Sequence, residues 1–286
     1  MAASADLVKV TTFERRVRFL AQQGIARLRP WVMENAEGGE AHNFERLGVA
    51  EAVLKVTRKT ATPDNDTPWS RRKSIPNIYH RGDVYEKGDV NQMLVDPNSS
   101  YVKAQGMAMK RAVDLEIITA AVGASRDGAG TAVVFPAGQI IGAGATPITF
   151  DIVTQVQEKF ALNNVDPEEP KVFVITPAQQ RRLLQLTEAT SRDYTMMDAL
   201  RKGYVDSWMG FTWVVHTGLP TSAANVKDNF AMTRSAIGLQ MNQDVSTEVA
   251  KDPSISFAWR VYSYLEAGAI RVEDEQLVKI PLNEVL

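Results

Sequence analysis

Asp96-Pro97-Asn98-Ser99-Ser100-Tyr101-Val102-Lys103-Ala104-Gln105-Gly106-Met107-Ala108-Met109-Lys110-Arg111-Ala112-Val113-Asp114-Leu115-Glu116-Ile117-Ile118-Thr119-Ala120-Ala121-Val122-Gly123 is the stretch on which the fold turns. Proline and short polar residues open it, the signature of a helix start. Positions 101, 104, 108, 112, 115, 118 and 122 then form one apolar stripe, and Met109, Val113 and Ile117 widen it. Gly123 stands where a C-terminal cap belongs. The spacing predicts a helix over 98–122, the longest in the chain, covered on two faces and so the backbone of a domain.

Downstream, glycine-rich residues 123–130 lead to a predicted strand at 131–135 before Pro136. Thr149 is placed to cap a helix running to about Asn163, with Ile152, Val153, Val156 and Phe160 inward. Val172-Phe173-Val174-Ile175 is a fully apolar strand. It runs into Thr176-Pro177-Ala178-Gln179, a capping box with proline at the first helical position, and Leu183, Leu184 and Leu186 form that helix's buried face. A short helix is expected to end at Gly203, and residues 211–215 read as a strand. Alternation over 257–272 and a short strand at 277–280 make the tail β-rich. Strands and helices in mixed order predict an α+β fold rather than a repeating βα barrel.

Upstream, the first thirty residues are basic: Lys9, Arg15, Arg16, Arg18, Arg27 and Arg29 stand against Asp6 and Glu14. Phe13, Val17, Leu20 and Gly24 fall at helical spacing, which suggests a short amphipathic surface helix, and 34–39 is a polar break. Residues 49–83 are different. Ala52 to Thr57 reads as a strand, 62–68 as a turn cluster between prolines, and 70–79 as extended chain carrying Arg71, Arg72 and Lys73. A charged two-stranded excursion this poor in apolar residues builds no core of its own, and an isolated hairpin is marginal in water. It is expected to lie against something else, a partner chain for instance.

Composition narrows the function classes. The 286 residues are 44% hydrophobic and 23% charged, which excludes disordered, collagenous and coiled-coil chains and leaves one large domain or two modest ones. There is no cysteine, so disulfides, thiolate zinc sites and cysteine nucleophiles are out. A net charge of −2 confines any nucleic-acid contact to a local patch. No run approaches the ~18 apolar residues of a membrane span. Residues 1–30 have no uninterrupted apolar core of signal-peptide type.

Catalytic motifs are sought and not found. Residues 123–131 have the two-glycine spacing of a phosphate loop but offer Ala129-Gly130 where lysine and a hydroxyl are needed. Gly142-Ala143-Gly144 lacks a third glycine. His42, His80 and His216 are scattered and sit in no metal frame. Ser70-Arg71-Arg72-Lys73 matches Ser-x-x-Lys by chance, and Arg81-Gly82-Asp83, the adhesion tripeptide, reads as a turn. No catalytic, cofactor-binding or metal-binding residue is expected, and the chain is read as a non-enzyme.

Several phrases, in this order, are similar to the major capsid protein of tailed bacteriophages, the Hong Kong 97 fold family. They are residues 88–97 (Gly-Asp-Val-Asn-Gln-Met-Leu-Val-Asp-Pro), 111–118, 173–180, 203–211 and 267–272. The likeness runs over residues 80–280 or so. It implies an N-terminal arm (1–48), an extended E-loop hairpin (49–83) and a peripheral domain (84–150 and 252–286) with a spine helix at about 98–122. An axial domain would span 151–251.

In that family the E-loop lies across a neighbouring subunit, which makes Lys55, Arg58, Lys59, Trp69, Arg71, Arg72 and Lys73 candidate inter-subunit contacts. Arg15, Arg16 and Arg18 become candidate contacts of the arm with acidic neighbours or with packaged DNA on the inner face. Some members cross-link an E-loop lysine to an asparagine. Lys55, Lys59 and Lys73 are present, but the asparagine and catalytic glutamate have no match, so that activity is not carried over.

The implied function is structural: a subunit self-assembling through hexamers and pentamers into an icosahedral shell around double-stranded DNA. Implied partners are a separate scaffolding protein, a portal and a decoration protein, with no membrane. The implied location is the virion, after assembly in the host cytoplasm. The same fold serves encapsulin-like nanocompartments, the nearest alternative. An α/β enzyme with an unrecognised site and an adhesion module using Arg81-Gly82-Asp83 stand further off.

Overall fold

A computed structural model describes residues 20–62, 66–86, 88, 97–142, 144–186 and 203–285. The long helix, α1, spans Pro97–Val122. Its buried line is Gln105, Met109, Val113, Ile117 and Ala121, an i, i+4 row, joined by Asp114 and Ile118. The stripe predicted through 112 and 115 is therefore rotated: Ala112 is only half-buried and Leu115 is exposed. Hydrogen bonding makes the shift tolerable. Gln105 bonds Asp83 and the Val261 carbonyl, and Asp114 accepts backbone N–H groups, so two polar residues occupy core positions that hydropathy assigns to others.

In chain order the first strands are β1 (Met33–Asn35), β2 (His42–Leu47), β3 (Trp69–Ser74), β4 (Asn77–Tyr85), β5 (Ser125–Arg126) and β6 (Ala132–Val133). Helix α2 (Phe150–Leu162) precedes β7 (Lys171–Ile175), and α3 (Pro177–Leu183) follows it. The remaining strands are β8 (Ser207–Trp208), β9 (Phe211–Val215), β10 (Thr221–Ala223), β11 (Val226–Thr233), β12 (Ile237–Asp252), β13 (Ala258–Arg271) and β14 (Leu277–Asn283).

Helix α1 packs across a four-stranded sheet of order β1-β12-β13-β4, chiefly on β13 and β12. Strand β12 is antiparallel to β13, β13 to β4, and β1 runs parallel to β12. Two glycines let the β2–β3 ribbon sit down on this sheet. A Cβ on Gly238 would stand 2.5 Å from the Phe44 ring, and one on Gly268 would stand 2.7 Å from the Ile75 carbonyl oxygen.

The second sheet has the order β10-β11-β7-β9-β8, with β14 also on β11. It is a wall shared by two cores. Val172, Val174, Phe230, Met232 and Leu277 face the α1 core. Phe173, Ile175, Ala231, Val278, Ile280 and Leu282 face a second core under α2. Apolar burial on both faces is why 172–175 carries no polar alternation. Thr149 caps α2 by accepting from the Ile152 N–H, and Ile152, Val153, Val156 and Phe160 are its buried face. Thr176 caps α3 and Pro177 opens it. The reciprocal half of that capping box is absent, because the Gln179 amide instead accepts from Ile148 N and donates to Asn283 O.

Other differences are instructive. Residues 52–57 form no ladder. Arg81-Gly82-Asp83 lies inside β4, in register with 261–263, and is no turn. The strand expected at 131–135 is only β6, and the last strand continues through Pro281, which an edge strand tolerates. The grouping of 151–251 is divided, since β12 joins the four-stranded sheet, where its apolar end, Ile237 to Met241, meets the α1 core. Likewise β4, counted above within 49–83, is a sheet strand. The amphipathic segment at 13–24 falls largely outside the described residues, as do the helix ending at Gly203 and most of the 88–97 phrase.

Candidate inter-subunit surface

The β2–β3 ribbon leaves the body as six antiparallel pairs, from His42↔Ser74 to Leu47↔Trp69. One more bond, Gly48 N to Pro68 O at 2.8 Å, closes its neck. Charge fixes its root. Arg46 forks onto Glu273, with Nε and Nη2 each 3.0 Å from a carboxylate oxygen. Asp274 holds two guanidinium groups at once: Arg72 Nη2 donates at 2.6 Å to one oxygen and Arg271 Nε at 2.6 Å to the other. Arg271 is fully buried, donates also to the Gly123 carbonyl, and lies over the Phe135 ring. Removing the shared carboxylate would leave buried charge without a counterion, the expensive case.

Beyond the neck the chain changes character. Residues 48–62 have no ladder, and Leu54 and Val56 are each 84% exposed. Val49, Val53 and Trp69 are exposed too. An apolar set of this kind on one excursion marks a surface awaiting a partner.

The seven residues singled out in this region separate into two groups. Lys55, Arg58 and Lys59 lie exposed on the coil, with no ion pair among the described residues, and Lys59 sits in the left-handed region at φ 60°. Trp69 borders a shallow groove of about 570 Å³ shared with Arg46, Asp127 and Gly128. Arg71 pairs with Glu45 across the ribbon. Arg72 differs: it is buried and committed to Asp274 within the subunit. Lys73 is half-buried and lines a 160 Å³ recess with Asn77, Glu116 and Arg126.

Residues 23–28 are held by a residue the sequence did not single out for a role. The Asp114 carboxylate, fully buried on α1, accepts the N–H groups of Arg27 at 2.8 Å and Leu28 at 3.0 Å, and the Gln23 side-chain amide. His216 Nε2 lies 3.5 Å from the same carboxylate, while Nδ1 accepts from Gly218 N. Arg111 donates to Gln22, and Arg27 reaches the Val215 carbonyl. Leu28 and Val32 then bury in the α1 core. The available signal was a carboxylate between the apolar positions 113 and 117. Further on, Arg29 bridges Glu34 and Asp244, and its guanidinium is held more firmly protonated by the Glu34 bond, against the opposing effect of burial. Arg15, Arg16 and Arg18 lie outside the described residues.

Among the described residues no group of His, Asp and Glu could hold a metal, and no helix is long and apolar enough to cross a membrane. In the 123–131 loop, Asp127 accepts the N–H groups of Ala129 and Thr131, so a carboxylate already fills the place where a phosphate would have to sit.

A family model described as phage capsid protein matches residues 5–284. No curated protein matches the sequence. Among solved structures, the capsid of the cyanophage P-SCSP1u is similar with a TM-score of 0.77 at 16% identity, covering 98% of this chain and 94% of that one. The capsid of Ralstonia phage GP4 is similar with a TM-score of 0.74 at 10% identity, covering 99% and 97%. Identities this low speak for shared fold.

Proposed function

Because the chain belongs to the phage capsid protein family, as a major capsid subunit and not an enzyme, we propose that its working state is a closed icosahedral shell around the double-stranded DNA of a tailed phage. The fold is α+β, of the Hong Kong 97 capsid type, and the protein is a virion component that associates with copies of itself. The observation that carries the assembly reading is the coil at 48–62: anchored at a charged root, apolar along 49–56, and left exposed by the described residues of its own subunit.

On sheet membership we assign the four-stranded sheet with α1 to the peripheral domain and the six-stranded sheet with α2 to the axial domain. The ribbon and coil at 42–74 form the E-loop and its root, and the residues before β1 the arm. Hexamers and pentamers, a separate scaffolding protein, a portal, a decoration protein and assembly in the host cytoplasm complete the proposal. Many modest contacts per subunit become collectively hard to undo once a shell closes. A dense array of arms bearing Arg15, Arg16 and Arg18 would present positive charge to DNA despite the net −2. Replacing all three with glutamate is expected to abolish assembly or packaging while the folded subunit persists.

Sedimentation and negative-stain microscopy, with and without the neighbouring genes, test the whole proposal. Closed shells or tubes are expected, and shells only on co-expression would favour a separate scaffold. A small oligomer under both conditions would refute it.

A further inference from the structure

Two incomplete features of the subunit match each other. The first is the edge of the four-stranded sheet. Strand β4 is nine residues long and stands at the edge of the sheet beside β13, so along Asn77–Val84 its outer side has no ladder partner among the described residues. Its two faces differ. Asn77 and Tyr79 bond Glu116 of α1, Asp83 accepts from Gln105 of α1, and Tyr85 stacks on Tyr101 of α1. The odd positions therefore face the helix. The even positions face away: Ile78 is 61% and Val84 44% exposed, and His80 stacks on Tyr262. Glu116 on the helix side has no cation partner among the described residues, while Asp83 has Arg81 at 3.7 Å.

The second feature is residues 52–57. Val53, Val56 and Thr57 have strong strand propensity and, with Leu54, alternate around Lys55, yet they make no ladder among the described residues. The ribbon is tied to the body as far out as Arg46, and the six residues from Gly48 to Leu54 let the coil reach up to about 20 Å beyond the Gly48–Pro68 neck, at ~3.4 Å per residue. In an added strand, Leu54 and Val56 share one face and Lys55 takes the other. Placed beside β4, that puts the apolar pair next to Ile78 and brings Lys55 toward Glu116.

We infer, on the basis of the assembly reading above, that residues 52–57 of one subunit add as a strand to the β4 edge of a second copy, with Lys55 opposite Tyr79. Backbone bonding gives the affinity and the alternation gives the register, as in other strand additions. The same contact hides an open edge that would otherwise invite indiscriminate pairing.

The absence of cysteine makes the test clean. Shells are assembled from a mixture of two single variants, one carrying Ile78→Cys and the other Leu54→Cys, Val56→Cys or Lys55→Cys, and then oxidised. Ile78→Cys should form a disulfide with Leu54→Cys or Val56→Cys, according to strand direction, and not with Lys55→Cys. Linkage to Lys55→Cys alone, or to none of the three in intact shells, overturns the inference. An electron cryomicroscopy map of the same shells separates the two levels of failure. A coil seated elsewhere on a neighbour removes the strand addition and keeps the assembly reading; a coil touching no neighbour removes both.

Discussion

Val172-Phe173-Val174-Ile175 and Val53-Leu54-Lys55-Val56 are built from nearly the same residue types, and their fates are opposite. Every side chain of the first is buried, while Leu54 and Val56 in the second are 84% exposed. Strand propensity does not separate them; what stands on either side does. Strand β7 has β11 and β9 as ladder partners, one core on each face, and the Phe173 ring stacked 4.5 Å from Trp213. The coil has neither ladder partner nor core among the described residues. A segment of strand-forming residues is an offer of pairing, and in this molecule one offer is met inside the subunit while the other has no ladder partner among the described residues.

That contrast can be broken at its strong end first. Phe173→Ala opens a cavity in a core that cannot easily close, and about 3–5 kcal/mol of stability should be lost in chemical denaturation of the unassembled subunit. Asp114→Ala comes next, at about 1–3 kcal/mol, because two backbone donors lose their acceptor. Faster amide exchange confined to residues around 27 and 28 should accompany it, and uniform acceleration instead would mean that Asp114 holds the core rather than the arm.

A smaller effect is expected from acid. Burial pushes the Asp244 carboxyl up, but the Val245 N–H and the Arg29 guanidinium outweigh it and hold it below the usual range. Its contribution is therefore full above the unfolded value of about 3.9 and fades as pH falls through the lower folded one. Proteolysis near residues 29–34 should rise only below about pH 4, and Asp244→Asn should remove that pH dependence.

The smallest change in stability belongs to the coil. Leu54→Ser with Val56→Ser should alter subunit stability by no more than about 0.5 kcal/mol. Shell yield should nevertheless collapse. Undiminished yield would erase the contrast between the two segments.

Legibility followed locality. The caps at Thr149 and Thr176 and the four inward residues of α2 could be read because each depends on residues three or four apart. Strand β12 could not: its register shifts between Met241 and Ser246 break the alternation, and its second half is polar. The buried face of α1 was misplaced for a related reason, since Gln105 and Asp114 are buried by partners 22 to 156 residues distant.

What the sequence determined alone was the local code: which runs are helices, where they start, and, with no cysteine, that no thiol chemistry is available. Only the tertiary structure decided which sheet each strand joins, that Arg72 is buried against Asp274 at the root, that Asp114 holds residues 23–28, and that 52–57 joins no ladder among the described residues. Propensity and capping act over a few residues. Burial, ion pairing and strand partnership depend on which distant segments arrive alongside, and for 52–57 no strand arrives among the described residues.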